Sequence, residues 1–272
     1  MRAWQDSLAL PLSRAEVARW QQAAVAALWA PRLRVLGGDL LHEPEPALER
    51  IIGTPAVTAP ARVLAVPLAL TARNTIRKIQ PQAAGGHLLS VKAGWLLERS
   101  DSVVQVVPVP QAVPLSQRLS PSWRSWSTAL PWADDWSVMA RFATPPELPF
   151  DEAFVNSGLL YWILRDTRKP GRTGPETWVL HASVEWSEPN LGRDTDTIAV
   201  SLLQDFGRLG GPASQASTVH RWRYASVMEP VLDKAYSSHV GMSVSLCGDW
   251  LNGGKVEGAW LSGRELAQRA LE

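Results

Sequence analysis

Residues 240–271 read VGMSVSLCGDWLNGGKVEGAWLSGRELAQRAL, which divides into a strand, a glycine-broken turn and a helix rich in small residues. Gly241 to Leu246 alternates apolar and small residues as a buried strand does, and Gly248-Asp249 and Asn252-Gly253-Gly254 break it. From about Glu257 the chain runs Gly258, Ala259, Leu261, Gly263, Leu266, Ala267 and Ala270, a helix whose inner face is mostly glycine and alanine near its start. Small side chains there let another group approach the backbone. The first-turn N–H groups of a helix carry roughly half a positive charge, which suits a phosphate or an electron-rich ring. Spacing alone fits equally well a plain C-terminal βα unit closed by a tight turn.

Composition bounds the rest. The chain has 272 residues, 46% of them hydrophobic, enough for a large core and for two modest domains. A formal net charge of +1 gives no electrostatic reason to expect nucleic acid or an anionic membrane as partner. The richest apolar stretch, Pro60 to Ala72, is broken by Arg62 and Pro67, and Met1 to Leu12 lacks the basic cluster and apolar run of a signal peptide. Cys247 is the single cysteine, so no intrachain disulfide is possible and a reducing cytoplasm is the expected compartment. His42, His87, His181, His220 and His239 include no pair at helical ligand spacing, so no metal is expected. The 14 tryptophans are the compositional oddity, and Trp4, Trp20 and Trp29 read as packing residues of an N-terminal helical region.

Punctuation organises the chain. Ser13 to Glu16 matches an S-x-x-E capping box ahead of an alanine-rich helix. Gly37 to Pro46 reads as a turn-rich connection and Pro55 to Pro67 as an irregular alanine-proline segment. Leu68 to Arg73 and Thr75 to Ile79 suggest a strand or pair, followed by a Gly85-Gly86 hairpin turn and a strand from His87 to Val91. Ser102 to Val107 reads as a buried strand that stops at Pro108, which cannot donate to a ladder. From Ser120 to about Ser237 extended segments dominate, at Trp136 to Phe142, Glu176 to Trp186 and Val219 to Ala225. One helix, Asp194 to Leu209, interrupts them, with Ile198, Leu202, Leu203 and Phe206 at helical spacing and Gly210-Gly211 as its stop. Asp166 to Pro175 reads as a solvated connection, and Arg221 and Arg223 fall on one side of a strand with Trp222 on the other. No G-x-S-x-G elbow supports a hydrolase.

Four motifs, CGDW(x5)VEGAWLSG from Cys247, HRWRYA from His220, TWVLHAS(x2)WS from Thr177 and VVPVPQAVPL from Val106, stand in order along the chain. Together they resemble the bacterial renalase-like branch of the flavin-dependent amine oxidase superfamily. The resemblance is weak before about residue 50 and strong after about residue 154. It implies an α/β (α+β) fold: a dinucleotide-binding flavoprotein domain from 1–119 and 238–272, with an antiparallel-sheet substrate domain, 120–237, inserted between its halves. It implies FAD as cofactor, contacted by Ile76, Pro108, Gly248, Asp249, Val256, Glu257, Gly258 and Ala259. The helix opening at Glu257 would face the flavin pyrimidine edge and stabilise its reduced form. Trp178, His181, Trp222 and Trp260 would line the substrate pocket, and the chemistry would be hydride transfer from a small substrate, a reduced nicotinamide or an amine, to FAD, with reoxidation by oxygen.

The fingerprint such flavoproteins begin with, a strand followed by G-x-G-x-x-G, is missing: Gly37-Gly38, Gly85-Gly86, Gly210-Gly211 and Gly253-Gly254 have the wrong spacing. Met1-Arg2-Ala3-Trp4 resembles the middle of a helix lying downstream of that fingerprint in the family. The expectation is a family member lacking its first segment and hence an incomplete FAD-binding domain. Two other readings stay open: a non-catalytic relative that binds a small molecule or partner, and one half of a split enzyme whose first segment is carried by a second chain.

Overall fold

The computed structural model describes residues 11–37, 40–43, 50–83, 85–91, 94–95, 99–116, 123, 130–228, 236–239 and 243–271. The expected features at Met1 to Trp4, at Gly38 and at Gly241 and Met242 lie outside these residues. In chain order the elements are α1 (Pro11–Gln22), β1 (Ala26–Trp29), β2 (Leu33–Gly37), β3 (Leu40–His42), β4 (Arg50–Gly53), α2 (Ala59–Ala65), β5 (Ile76–Pro81), β6 (His87–Val91), β7 (Gly94–Trp95), β8 (Val103–Gln105) and α3 (Val109–Ser116). They continue with β9 (Trp132–Arg141), β10 (Glu152–Val155), β11 (Leu160–Arg165), β12 (Thr177–Ala182), α4 (Thr195–Arg208), β13 (Ala216–Val227), β14 (Tyr236–His239), β15 (Val244–Cys247) and α5 (Val256–Ala270).

Two compact units result, Met1–Val66 with Ala133–Ala225, and Pro67–Trp132 with Ser226–Glu272. These cuts differ from 1–119, 120–237 and 238–272, because β2 pairs in parallel with β10, Leu33 opposite Glu152 and Leu36 opposite Val155. That pairing ties the N-terminal segment to the sheet built by residues 132–227, a long-range link that local pattern does not carry.

The first unit is organised by a seven-stranded sheet in the order β13-β9-β12-β11-β10-β2-β3. The expected antiparallel character holds for β9, β12, β11 and β10, and the β2–β10 pair is the parallel exception. Period-two alternation sends Trp178, Leu180 and Ala182 of β12 to one face, with Trp136, Val138 and Ala140 of β9 and Ala153 and Val155 of β10. There they pack on Ile198, Leu202 and Phe206 of α4, all fully buried. Asp194 caps this helix by accepting from Thr197 N at 2.8 Å, which satisfies one of the orphan first-turn donors. The spacing-based helix from Asp194 to Leu209 is thus found with its cap and its buried stripe. Trp29, Ile52, Trp162 and Leu164 make a second, smaller apolar cluster, in which β1 and β4 form their own two-stranded ribbon.

In the second unit, β5, β6 and β7 form a meander, and the β5–β6 hairpin turns at Gly85 and Gly86, with φ of +82° and +76°. Glycine suits both positions because side chains rarely adopt that backbone region. β14, β15 and β8 form a second sheet in which β15 and β8 run parallel. Their apolar residues join Val109, Ala112, Val113, Trp123, Trp250 and Leu251 in one core.

Several local expectations are corrected. α1 is already helical at Pro11, so Ser13 sits inside the helix rather than at a cap. Residues 55–67 hold the helix α2, opened by Pro60 in its first turn, where the missing N–H costs nothing. Leu68 to Arg73 is not a strand, and the turn-rich connection after Gly37 contains β3. The strand at 102–107 shrinks to β8 with Val104 exposed, and Glu176 to Trp186 ends as a strand at Ala182, beyond which Ser183 caps a helical turn at Val184–Ser187. The buried stripe of α5 is Gly258, Ser262 and Leu266, while Ala267 and Ala270 face solvent.

Candidate functional site

The sheet face of the first unit that turns away from α4 holds a cavity of about 250 Å³. The alternation that buries Trp178 and Leu180 against the helix sends Val179 and His181 into this cavity. In the same way β9 contributes Ser137 and Met139, β11 contributes Trp162 and Leu164, β10 contributes Glu152 and β13 contributes Trp222. Trp29, Arg50 and Ile52 of the β1–β4 ribbon complete the walls.

Its polar groups are interlocked. Trp222 Nε1 donates to Ser137 Oγ at 2.9 Å, and Ser137 Oγ lies 2.8 Å from His181 Nδ1. The His181 ring stacks on Trp162 with centroids 5.0 Å apart and planes 24° from parallel, and Trp162 Nε1 donates to Glu152 Oε1 at 2.7 Å. Glu152 Oε2 and Arg50 Nε are 3.0 Å apart, with both side chains nearly inaccessible. Burial pushes the Glu152 carboxyl above and the Arg50 guanidinium below its ordinary range, against the pull of each on the other. Burial, with Lys169 adding to it, pushes the His181 imidazole down to about 3, so the ring is neutral at neutral pH.

Residues 166–172, expected to be a solvated connection, are instead stitched to the turn after β4. Thr54 Oγ1 donates to the Pro170 carbonyl at 3.2 Å, and Arg172 donates to the carbonyls of Gly53 and Pro55. Asp166, Lys169 and Arg172 from this segment line the cavity. Beside it, burial works against the Asp151 carboxylate, but hydrogen bonds from Arg32 outweigh it and hold that group below its ordinary range.

Of the four expected pocket residues, His181 and Trp222 line the cavity. Trp178 does not: it is fully buried on the opposite face against Phe206 and Phe150, its Nε1 donating to Glu176. Trp260 belongs to the second unit, under the guanidinium of Arg264 at 5.6 Å. Arg221, expected on the side of its strand away from Trp222, is held by Asp134 at 2.8 Å. Sequence reasoning missed Arg50, Ser137, Glu152 and Trp162. The available signal was Glu152, a carboxylate directly before the apolar Ala153-Phe154-Val155 of a strand.

The expected cofactor residues all fall in the second unit. β8 and β15 pair in parallel, Val244 opposite Val103 and Leu246 opposite Gln105, so their carboxyl ends coincide. Pro108 follows the first of these ends, and Gly248 and Asp249 follow the second. Ligands of open α/β sheets bind outside the carboxyl ends of strands. Pro108 opens α3, its carbonyl accepting from Gln111 N and Ala112 N, and Ile76 starts β5, on which α3 packs. Asp249 acts through its carbonyl as a turn residue, accepting from Asn252 N and Gly254 N at 2.8 Å, while burial raises its carboxyl pKa. Gly248 N donates to Ser262 Oγ of α5 at 2.9 Å.

Val256, Glu257, Gly258 and Ala259 form the first turn of the 15-residue α5, whose N-cap residue Lys255 makes no side-chain cap hydrogen bond. A Cβ at Gly258 would collide with the Asn252 carbonyl oxygen, so this glycine lets the turn close on its own helix. The N–H groups of a helix's first turn fit an anionic or electron-rich group.

No protein-family model matches the sequence. Among solved structures, a candidate protoporphyrinogen oxidase from Exiguobacterium sp. 255-15 is similar with a TM-score of 0.66 and 13% identity, over 84% of this chain and 53% of that one. Cyclohexylamine oxidase from Brevibacterium oxydans IH-35A gives 0.59 and 14%, over 79% and 52%. A putrescine oxidase bound to putrescine gives 0.56 and 14%, over 82% and 54%. The chain therefore spans about half the length of the structures it matches. At these identities the likeness is one of architecture: the chain has an α/β fold, of mixed sheets and helices, shared with amine oxidases and related oxidoreductases.

Proposed function

We propose that the chain carries the substrate-binding part and the C-terminal cofactor-binding part of a flavin-dependent oxidoreductase of renalase-like type, working in the cytoplasm on a small substrate. The observation that carries this reading is the convergence of Pro108, Gly248 and Asp249 at the coincident carboxyl ends of two parallel strands, in a fold shared with amine oxidases. FAD, when bound there, supplies hydride acceptance from the substrate, a reduced nicotinamide or an amine, and reoxidation by oxygen. The chain's own task is to hold and orient. Pro108, Gly248, Asp249 and residues 256–259 would hold the cofactor, with Ile76 toward the adenine, and the cavity around His181 and Trp222 would hold the substrate. The test is to purify the chain, release any bound cofactor by denaturation and measure visible flavin absorbance against protein concentration. Stoichiometric flavin supports the reading; a folded, colourless protein overturns it for this chain and leaves a non-catalytic small-molecule binder.

A second reading, a partner polypeptide that completes the cofactor site, has its own support. Among the described residues β8 is an edge strand, and Val104 and Val106 are 50% and 66% exposed. An apolar edge of this kind is a template for another strand. Flavin uptake only after a second chain is added would favour it.

A further inference from the structure

The cavity of the first unit carries in its wall an ion pair with hydrogen-bonding capacity to spare. Arg50 of β4 and Glu152 of β10 are 3% and 0% exposed and in ionic contact, Nε to Oε2 at 3.0 Å. The contact is not a hydrogen bond: Arg50 Nε and Nη2 and Glu152 Oε2 are all buried, and none has a hydrogen-bond partner among the described residues. The other carboxylate oxygen, Oε1, accepts from the Trp162 indole at 2.7 Å. Strand pairing fixes both backbones, Arg50 opposite Trp29 and Glu152 opposite Leu164, and the guanidinium lies over the Phe154 ring at 5.7 Å.

Buried donors and acceptors are nearly always satisfied, so a donor and an acceptor left open side by side in an apolar wall favour a molecule that meets both. The other charged groups of the wall are engaged. Asp166 holds Lys169 at 2.9 Å and Arg172 at 3.6 Å, and Arg172 donates to the carbonyls of Gly53 and Pro55.

We infer that Arg50 and Glu152 together form an amide-reading subsite: the cavity takes a flat, uncharged molecule carrying a carbonyl oxygen and an N–H on one edge, the oxygen accepting from Arg50 Nη2 and the N–H donating to Glu152 Oε2. A carboxylate would set an oxygen against Glu152, and a cation would set its charge against Arg50, so a ligand charge of either sign is selected against. A ketone of the same shape satisfies Arg50 alone and leaves the buried carboxylate oxygen open. Trp29, Trp162 and Trp222 supply aromatic walls for the body of the ligand. An apolar space of roughly 150 Å³ takes a benzene ring, and the volume of about 250 Å³ leaves room for a short substituent. The inference rests on reading this cavity as the substrate site, and its test needs no flavin.

Four compounds of one shape separate these cases: benzamide, acetophenone, anionic benzoate and cationic benzamidine. The full chain is titrated with each at neutral pH, followed by tryptophan fluorescence. Benzamide is expected to bind roughly tenfold tighter than each of the other three, the scale of one hydrogen bond. In Glu152→Gln the Trp162 indole, which can only donate, keeps the side-chain oxygen, so an N–H donor takes the place of Oε2. Two donors then face the ligand and the order inverts, benzoate binding roughly tenfold tighter than benzamide. A carboxylate that merely filled the wall would, when replaced, weaken all four ligands alike. Should Glu152→Gln fail to fold, Arg50→Met with Glu152→Gln asks the same question, and there benzamide must lose its margin over acetophenone. Benzamide no tighter than acetophenone, benzoate or benzamidine equal to or tighter than benzamide in the wild type, no binding of any of the four, an unchanged order in Glu152→Gln, or a margin kept in the double variant would each overturn the proposal. A colourless chain that still prefers benzamide would sink the oxidoreductase reading and leave this one standing; a flavin-loaded chain without that preference would do the reverse.

Discussion

Acidification should weaken the first unit through His181, by an amount its surroundings set. The folded imidazole titrates at about 3 because it is buried, against 6.5 in an open chain. The folded pKa lies below the unfolded one, so the unfolded state binds the proton first and stability falls as pH drops from 6.5 toward 3. Above that window the ring is neutral in both states and contributes no pH dependence. At about pH 4.5, two units below the unfolded value, the loss is about 2.7 kcal/mol, at about 1.4 kcal/mol per unit. The measurement is urea unfolding of the wild type and of His181→Gln at about pH 7.5 and about pH 4.5. Carboxylates such as Asp151 and Glu152 titrate in both proteins and largely cancel in the comparison. The wild type should lose roughly 2–3 kcal/mol more than the variant on acidification. Equal losses would show that His181 takes up its proton without unfolding, and its burial in the folded state would then be wrong.

Three further outcomes follow from the packing. Arg50→Met strands the buried Glu152 carboxylate and should cost about 3–5 kcal/mol in urea unfolding, whereas Arg50→Met with Glu152→Gln should recover much of it; a double variant no better than the single would refute the pairing. Phe206→Ala, which empties the contact with Phe142 and Trp178, should cost about 3–5 kcal/mol, and a loss below about 1 kcal/mol would mean that α4 does not anchor this sheet. Gly258→Ala should disrupt the turn into α5, because the added methyl meets the Asn252 carbonyl; limited proteolysis near residues 248–258 should speed up, and unchanged cleavage would count against the close approach.

The sequence by itself determined the features that depend on neighbours along the chain. Helical spacing with an Asp194 cap and a glycine stop gave α4, paired glycines gave the β5–β6 hairpin, and the strand, turn and helix of residues 244–270 followed from alternation broken by Gly248, Gly253 and Gly254. The motif resemblance singled out His181 and Trp222 together with Trp178 and Trp260, of which the first two line the cavity. Tertiary structure alone decided which face each strand residue takes. Trp178 and His181 sit three positions apart in one strand, so alternation places them on opposite faces, and only packing against α4 shows which face is core and which is cavity. It alone brought Arg50 to Glu152 and Ser137 to His181, pairs separated by 102 and 44 positions, and joined β2 to β10 across more than a hundred residues. Such contacts form because burying apolar faces offsets the entropy of closing long loops, and that balance is a property of the whole fold that no local pattern records.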